Sequence, residues 1–284
     1  MGTFRQAVEG KAFAIAAELT VQKESTADDV LRQAEDLAGL ADGIQVTDNP
    51  YAWVQMSALA ASALLIGEGF DPVPIMTCRD RNRVALKSDL MGLQAMGVEN
   101  VMLMRGHRVP KDHSVPASTV FDLTGQELIA LAASVDDGFF IGTGAKLFRP
   151  GPRWQAESLV RRHTAGARFL QTQLCFNMEI LERYMKRFVA AGLDRDYSIL
   201  ISLSPLPSAS TASWIREHLS DSRIPRDIIA RLENAPDPEA EGITICAELM
   251  QQISEVPGVS GVNLMTTGDP AALRATIQAS GLRD

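Results

Sequence analysis

Cysteine is scarce: Cys78, Cys175 and Cys246 lie far apart in 284 residues and form no CxxC pair. That leaves no disulfide framework and no zinc or iron–sulfur site built by this chain alone. A basic surplus is also missing, because 27 Lys and Arg face 35 Asp and Glu, a formal net charge of −8. Phosphate-rich partners are held by clustered cations, so the balance argues against a nucleic acid or an anionic membrane surface as partner. No apolar run approaches the roughly 18–20 residues of a membrane span. The opening MGTFRQAVEGKAFAIAAEL lacks the basic flank and cleavage site of a secretory signal. Together these make the cytoplasm the expected location. Absent too are a Walker A loop and the Gly-rich dinucleotide fingerprint after the first apolar run.

What is present is a repeated alternation of short apolar runs and longer amphipathic segments, the pattern of βα units around a parallel sheet. The runs are Phe13–Leu19, Gly43–Thr47, Pro72–Thr77, Asn100–Arg105, Phe139–Thr143, Arg168–Leu174, Ser198–Ser204 and Gly261–Thr266. Ser25 or Thr26 caps the first helix between them, with Asp28 and Asp29 placed close to a capping box. Further helices are expected from about Arg83 to Met96, from near Thr124, over Ala156–Thr164 and over Met178–Ala191. Two flank Ser222–Pro225, a long one runs from about Pro238 to Ser254, and a last begins near Pro270. Eight such units without a low-complexity linker predict an α/β fold, one (β/α)8 TIM barrel, with residues 1–284 as a single domain. An open doubly wound sheet is the competing arrangement.

A β/α barrel builds its active site at the carboxyl ends of its strands. The candidates are therefore Glu18; Thr47, Asp48 and Asn49; Thr77, Cys78, Arg79 and Asp80; Arg105, Gly106 and His107; Thr143 and Lys146; Gln171 and Gln173; Ser202 and Ser204; and Thr266. Glu18 ends an apolar strand, where a low dielectric raises a carboxyl pKa and suits a general acid. An ion pair with Arg79 or Arg105 across the mouth is its alternative role. The arginines of CRDRNR (Cys78–Arg83) either bond neighbouring loops around a capping Asp80 or Asn82, or bind a phosphate or carboxylate. Cys78 has no accompanying His and acid and reads as a packed thiol. In GTGAK (Gly142–Lys146) the glycines let backbone approach a ligand, with Lys146 near a phosphate. Arg161 and Arg162 face either solvent or a diphosphate. His107, His113, His163 and His218 show no metal-ligand spacing, and Met76, Met102, Met104 and Met265 read as core.

Taken in order, AAEL with Glu18, VTDNPYAWVQMSALA (Val46–Ala60), MTCRDRNRVALKSDLMGLQAMGVENVMLMRG (Met76–Gly106) and AGARFLQTQ (Ala165–Gln173) resemble the methylenetetrahydrofolate reductase family. The likeness is to its branch with TDN and CRDRNR motifs, and SRIP (Ser222–Pro225) adds a weaker match. The resemblance implies a barrel that binds FAD and uses NADH or NADPH to interconvert 5,10-methylenetetrahydrofolate and 5-methyltetrahydrofolate. By the same resemblance Glu18 is the general acid and Gln173 contacts the pterin. Thr47, Asp48, Arg105, Gly106, Thr143, Lys146, Arg161 and Arg162 fall at cofactor-binding positions. The family usually has an aspartate after the RG turn, touching flavin and pterin, and here His107 stands in its place. The prolines that usually follow the glutamate are replaced by Val21 and Gln22, and Ser208–Ala209 stand where an aromatic residue is common. Two other readings compete: a flavin-independent folate reductase, and a non-catalytic folate-binding subunit of a methyl-transfer system. A homo-oligomer or an electron-donating partner protein is compatible with all three.

Overall fold

The computed structural model describes residues 4–10, 13–110, 117–148, 150, 151, 154, 156–219, 222–266 and 269–283. The strands are β1 (Ala14–Glu18), β2 (Gly43–Val46), β3 (Pro72–Thr77), β4 (Asn100–Met104), β5 (Phe140–Ala145), β6 (Ala167–Leu174), β7 (Ser198–Leu203) and β8 (Gly261–Leu264). All are parallel and consecutive, and β8 returns to pair with β1, which closes the barrel. The doubly wound alternative is thereby set aside. Helices α1 (Phe4–Glu9), α2 (Ala27–Asp36), α3 (Ala58–Gly67), α4 (Arg83–Ala95), α5 (Gly125–Val135) and α6 (Glu157–Thr164) belong to the first part of the chain. They are followed by α7 (Met178–Ala190), α8 (Ala209–His218), α9 (Arg226–Asn234), α10 (Pro238–Ser254) and α11 (Ala271–Ser280).

Local chemistry sets the helix starts. Thr26 caps α2 and Thr124 caps α5, each in a reciprocal capping box, with Asp29 and Glu127 respectively. Asn82, not Asp80, caps α4, its side chain accepting from the Val84 and Ala85 amides. Each such cap stabilises its helix by about 1 kcal/mol.

Strand alternation divides the apolar residues into two cores. Ile15, Ala17, Ile44, Val46, Val262 and Leu264 pack outward against the helices. Ala14, Ala16, Val73, Ile75, Met102, Phe140, Phe169 and Leu200 fill the lumen. Helix α1, six residues whose pattern is too short to declare itself, plugs the lumen at its amino end with Phe4 and Val8. Phe4 meets Phe169 and Phe140 edge-on, at centroid distances of 5.4 and 6.2 Å, and its backbone amide donates to Asp71 at 2.6 Å.

Two expectations shift in detail. β5 extends to Ala145, so most of GTGAK is strand and not loop. Gly142 is a packing glycine: a Cβ there would lie 2.1 Å from the Phe169 ring. The methionine reading holds for Met76 and Met102, which are buried.

Candidate active site

Above the aromatic plug the lumen turns polar. The lumen-facing positions of β1 are Ala14 and Ala16, so the next one, Glu18, projects into the barrel at its carboxyl end. Gln45 lies between two outward-facing residues and is the register partner of Glu18. Asn263 lies between outward-facing Val262 and Leu264, beside Ala16 on one flank and Ser202 on the other. Gln45 donates to Gln171 across the lumen at 2.5 Å. Gln173, one lumen step above Gln171, accepts from the Leu147 amide at 3.2 Å, which orients its side chain towards the loop after β5.

Glu18 keeps some surface at the mouth, but its carboxyl is enclosed by protein and makes no hydrogen bond or ion pair among the described residues. Burial without a compensating charge pushes its pKa up from 4.5 to about 7. The alternative pairing with Arg79 or Arg105 is not made. Arg79 is buried and holds Asp80 at 2.7 Å and the Asn49 carbonyl at 2.7 Å. Arg105 is exposed and lies over the Phe121 ring at 4.3 Å.

The turn after β2 is braced from within. Asp48 is buried; it accepts from the amide and hydroxyl of Thr77, each at 2.8 Å, and pairs with Arg81. The Thr47 hydroxyl and carbonyl are bonded to Gln55. Beyond them Asn49, Tyr51 and Ala52 all adopt positive φ, between 47° and 67°. Three such residues in four positions hold conformational strain, which natural folds retain at sites of function. The turn carries Tyr51 and Trp53 outward, and the Tyr51 ring stacks on His107 from the loop after β4, with centroids 6.1 Å apart and planes within 17°. Gly106 has φ +80°, and a Cβ there would lie 3.0 Å from that of Thr77, so the RG turn passes tightly over β3.

The loops after β4 and β5 and helix α6 make a basic quadrant in an acidic protein. Arg105, Arg108, Lys146 and Arg161 are exposed there. The two arginines of α6 diverge: Arg161 approaches Glu157 at 3.8 Å, whereas Arg162 turns inward and donates to the carbonyls of Gly144 and Ser158. Among the described residues no carboxylate faces Arg162, and desolvation lowers its pKa. Thr143 faces the helix layer, since its neighbours Gly142 and Gly144 face the lumen residues Phe169 and Met104.

The cysteines are buried thiols whose pKa burial raises, to about 11 for Cys78 and Cys175, consistent with packing roles. No group of His, Cys, Asp and Glu among the described residues is arranged to hold a metal ion, and His113 lies outside them. No helix among the described residues is long and apolar enough to cross a membrane. A small hollow lined by Pro205, Leu206, Glu239 and Thr266 lies between the β7 and β8 loops, beside the mouth. Sequence reasoning passed over Gln45 and Asn263; the available signal was a lone amide at a lumen position of an apolar strand.

Comparison with known proteins places this geometry. The family model for methylenetetrahydrofolate reductase matches residues 3–281. A Caenorhabditis elegans protein named as a probable methylenetetrahydrofolate reductase (NADPH) is 25% identical over 242 residues, 81% of this chain. The chain spans about a third of that relative, 35% of its length. A Clostridium thermocellum protein that binds two copies of 5-methyl-5,6,7,8-tetrahydrofolic acid shares the fold at a TM-score of 0.67. That likeness covers 98% of this chain and 97% of the other at 16% identity. With the family match running over nearly the whole barrel, Glu18 at its mouth included, the chain belongs to the methylenetetrahydrofolate reductase family.

Proposed function

We propose that this protein is an oxidoreductase that interconverts 5,10-methylenetetrahydrofolate and 5-methyltetrahydrofolate, with FAD as its flavin and NADH or NADPH as hydride donor. The observation that carries this reading is the isolated Glu18 carboxyl at the lumen mouth, with a pKa near 7. A general acid works best when its pKa lies close to the working pH. With a substantial protonated fraction at neutrality, Glu18 donates to a nitrogen of the methylene bridge and helps to open it to an electrophilic iminium. Gln173, oriented by the Leu147 backbone, lies on the lumen side to contact the pterin.

The residues present fit FAD. Among the described residues Arg162 is half-buried and faces no carboxylate, and Arg105 and Arg108 lie over the Phe121 ring, so this quadrant suits a diphosphate. Arg105, Gly106, Lys146 and Arg162 would hold the cofactor there, with Arg161 able to turn towards it. Asp48 and Thr47 would shape the turn beneath it, because their polar atoms are already engaged. His107 and the Tyr51 ring would flank the planar groups. When bound, FAD supplies the hydride-carrying ring. Thr143 would act from the helix side, as support for β5.

The test is the visible spectrum of the purified protein, recorded anaerobically before and after 5-methyltetrahydrofolate is added. A yellow protein that bleaches supports flavin-mediated hydride exchange with the folate. A colourless protein that takes up no FAD would overturn the flavin and leave direct transfer from nicotinamide. Unchanged turnover in Glu18→Gln would overturn the general acid and revive the non-catalytic folate-binding subunit.

A further inference from the structure

Asn263 is fully buried on the lumen side of β8, and neither its Nδ2 nor its Oδ1 has a hydrogen-bond partner. Gln45 is equally buried; its Nε2 is engaged by Gln171, and its Oε1 is unpartnered. Buried amides left without partners cost free energy, and each one a fold retains calls for a reason, a bound molecule that completes the bonds among them. Among the described residues Asn263 is the one side chain with two such atoms. The two amides flank β1 at successive inward positions, Gln45 paired in register with Glu18 and Asn263 with Ala16, one inward step deeper. Glu18, held by no hydrogen bond among the described residues, is the half-buried group at the mouth above them.

The three free atoms form a pattern of one donor and two acceptors: Asn263 Nδ2, Asn263 Oδ1 and Gln45 Oε1. Its complement is one acceptor and two donors. A 2-amino-4-oxopyrimidine ring presents that set on one edge, as a carbonyl oxygen, a ring N–H and an exocyclic amino group. We infer that Asn263 and Gln45 are specificity-determining residues that read the amino-oxo edge of a pterin entering the lumen edge-first past Glu18. The inference rests on the folate reading above and adds its recognition element. Entry in this direction leaves the opposite side of the ring system, where the one-carbon bridge lies, at the level of the Glu18 carboxyl.

The experiment is calorimetric binding of 5-methyltetrahydrofolate to the full-length wild-type protein, Asn263→Leu and Asn263→Ala, with the melting temperature of each measured without ligand. Asn263→Leu removes two unpartnered polar atoms at similar volume, and Asn263→Ala guards against overpacking by the larger side chain. The expected result is affinity weakened about tenfold or more in both variants, with Asn263→Leu melting no lower than wild type. Folded variants that bind within twofold of wild type would overturn the inference while leaving the folate reading intact. Loss of folding in both variants would also overturn it, because Asn263 would then serve the fold. A wild-type protein that does not bind this folate would instead overturn the folate reading, and this inference with it.

Discussion

The two ends of the barrel lumen are built from the same strands and obey opposite rules. At the amino end Phe4, Phe140 and Phe169 close the lumen with interlocking rings, and a glycine at 142 makes room for one of them. Towards the carboxyl end Glu18, Gln45 beside it and Asn263 one inward step deeper have hydrogen-bonding capacity left over. The first arrangement minimises free energy; the second retains polar groups that an apolar filling would have avoided. A barrel can accommodate such groups because its stability is concentrated at the opposite end, where no ligand has to enter.

Substitutions at the two ends should therefore separate activity from stability. The largest effect is expected from Glu18→Gln, which should lower folate turnover by about 10²–10⁴-fold while leaving the protein at least as stable, as steady-state rates and melting curves would reveal. Phe169→Ala should do the reverse, costing about 3–5 kcal/mol in denaturant unfolding with folate affinity retained by the folded fraction. If Phe169→Ala abolished binding without loss of stability, the division between the ends would fail.

The pH dependence sharpens the comparison. A folded pKa near 7, against an ordinary 4.5, means the folded protein keeps the Glu18 proton after the unfolded chain has lost it. This contribution to stability is full below about pH 4.5 and is lost as pH rises to about 7. Its size is on the order of 2–3 kcal/mol for a group with some remaining exposure. The melting temperature of Glu18→Gln should accordingly gain on wild type between pH 5 and pH 8. A constant gap would place the Glu18 carboxyl in water.

Smaller effects belong to the rim. Asp48→Asn keeps an acceptor for Thr77 but removes the charge facing Arg81, and should cost about 1–3 kcal/mol by chemical denaturation. His107→Asp should lower the flavin midpoint potential, since a carboxylate disfavours the reduced, anionic ring. Spectroelectrochemical titration reads the sign, and an unchanged potential would place His107 away from the flavin.

The architecture was largely legible because strands covered on both sides read as continuous apolar runs, with polar residues marking the ends. Pro72–Thr77 is recovered to the residue, and the other strands differ by one or two at an end. Helix α1 escaped because Phe4 and Val8 give a single helical spacing. The position of Glu18 at the mouth was legible, because a carboxylate that ends an apolar barrel strand lies at its carboxyl end. The site was not legible where adjacent like residues have different fates: Arg161 and Arg162 cannot be told apart until the helix is docked and one guanidinium finds the Gly144 carbonyl. Asn263 and Gln45 escaped for another reason, because one amide in an apolar run carries no sign of whether a partner exists.

The pairing of β1 with β8 has a consequence for synthesis. Ala14–Ala17 leave the ribosome more than two hundred residues before Gly261–Leu264, which cover one flank of that strand. Until then one edge of the nascent sheet stays unpaired, a template for association with other chains. Synthesis of this barrel should therefore depend on chaperones more strongly than its finished stability would suggest, up to the moment β8 emerges.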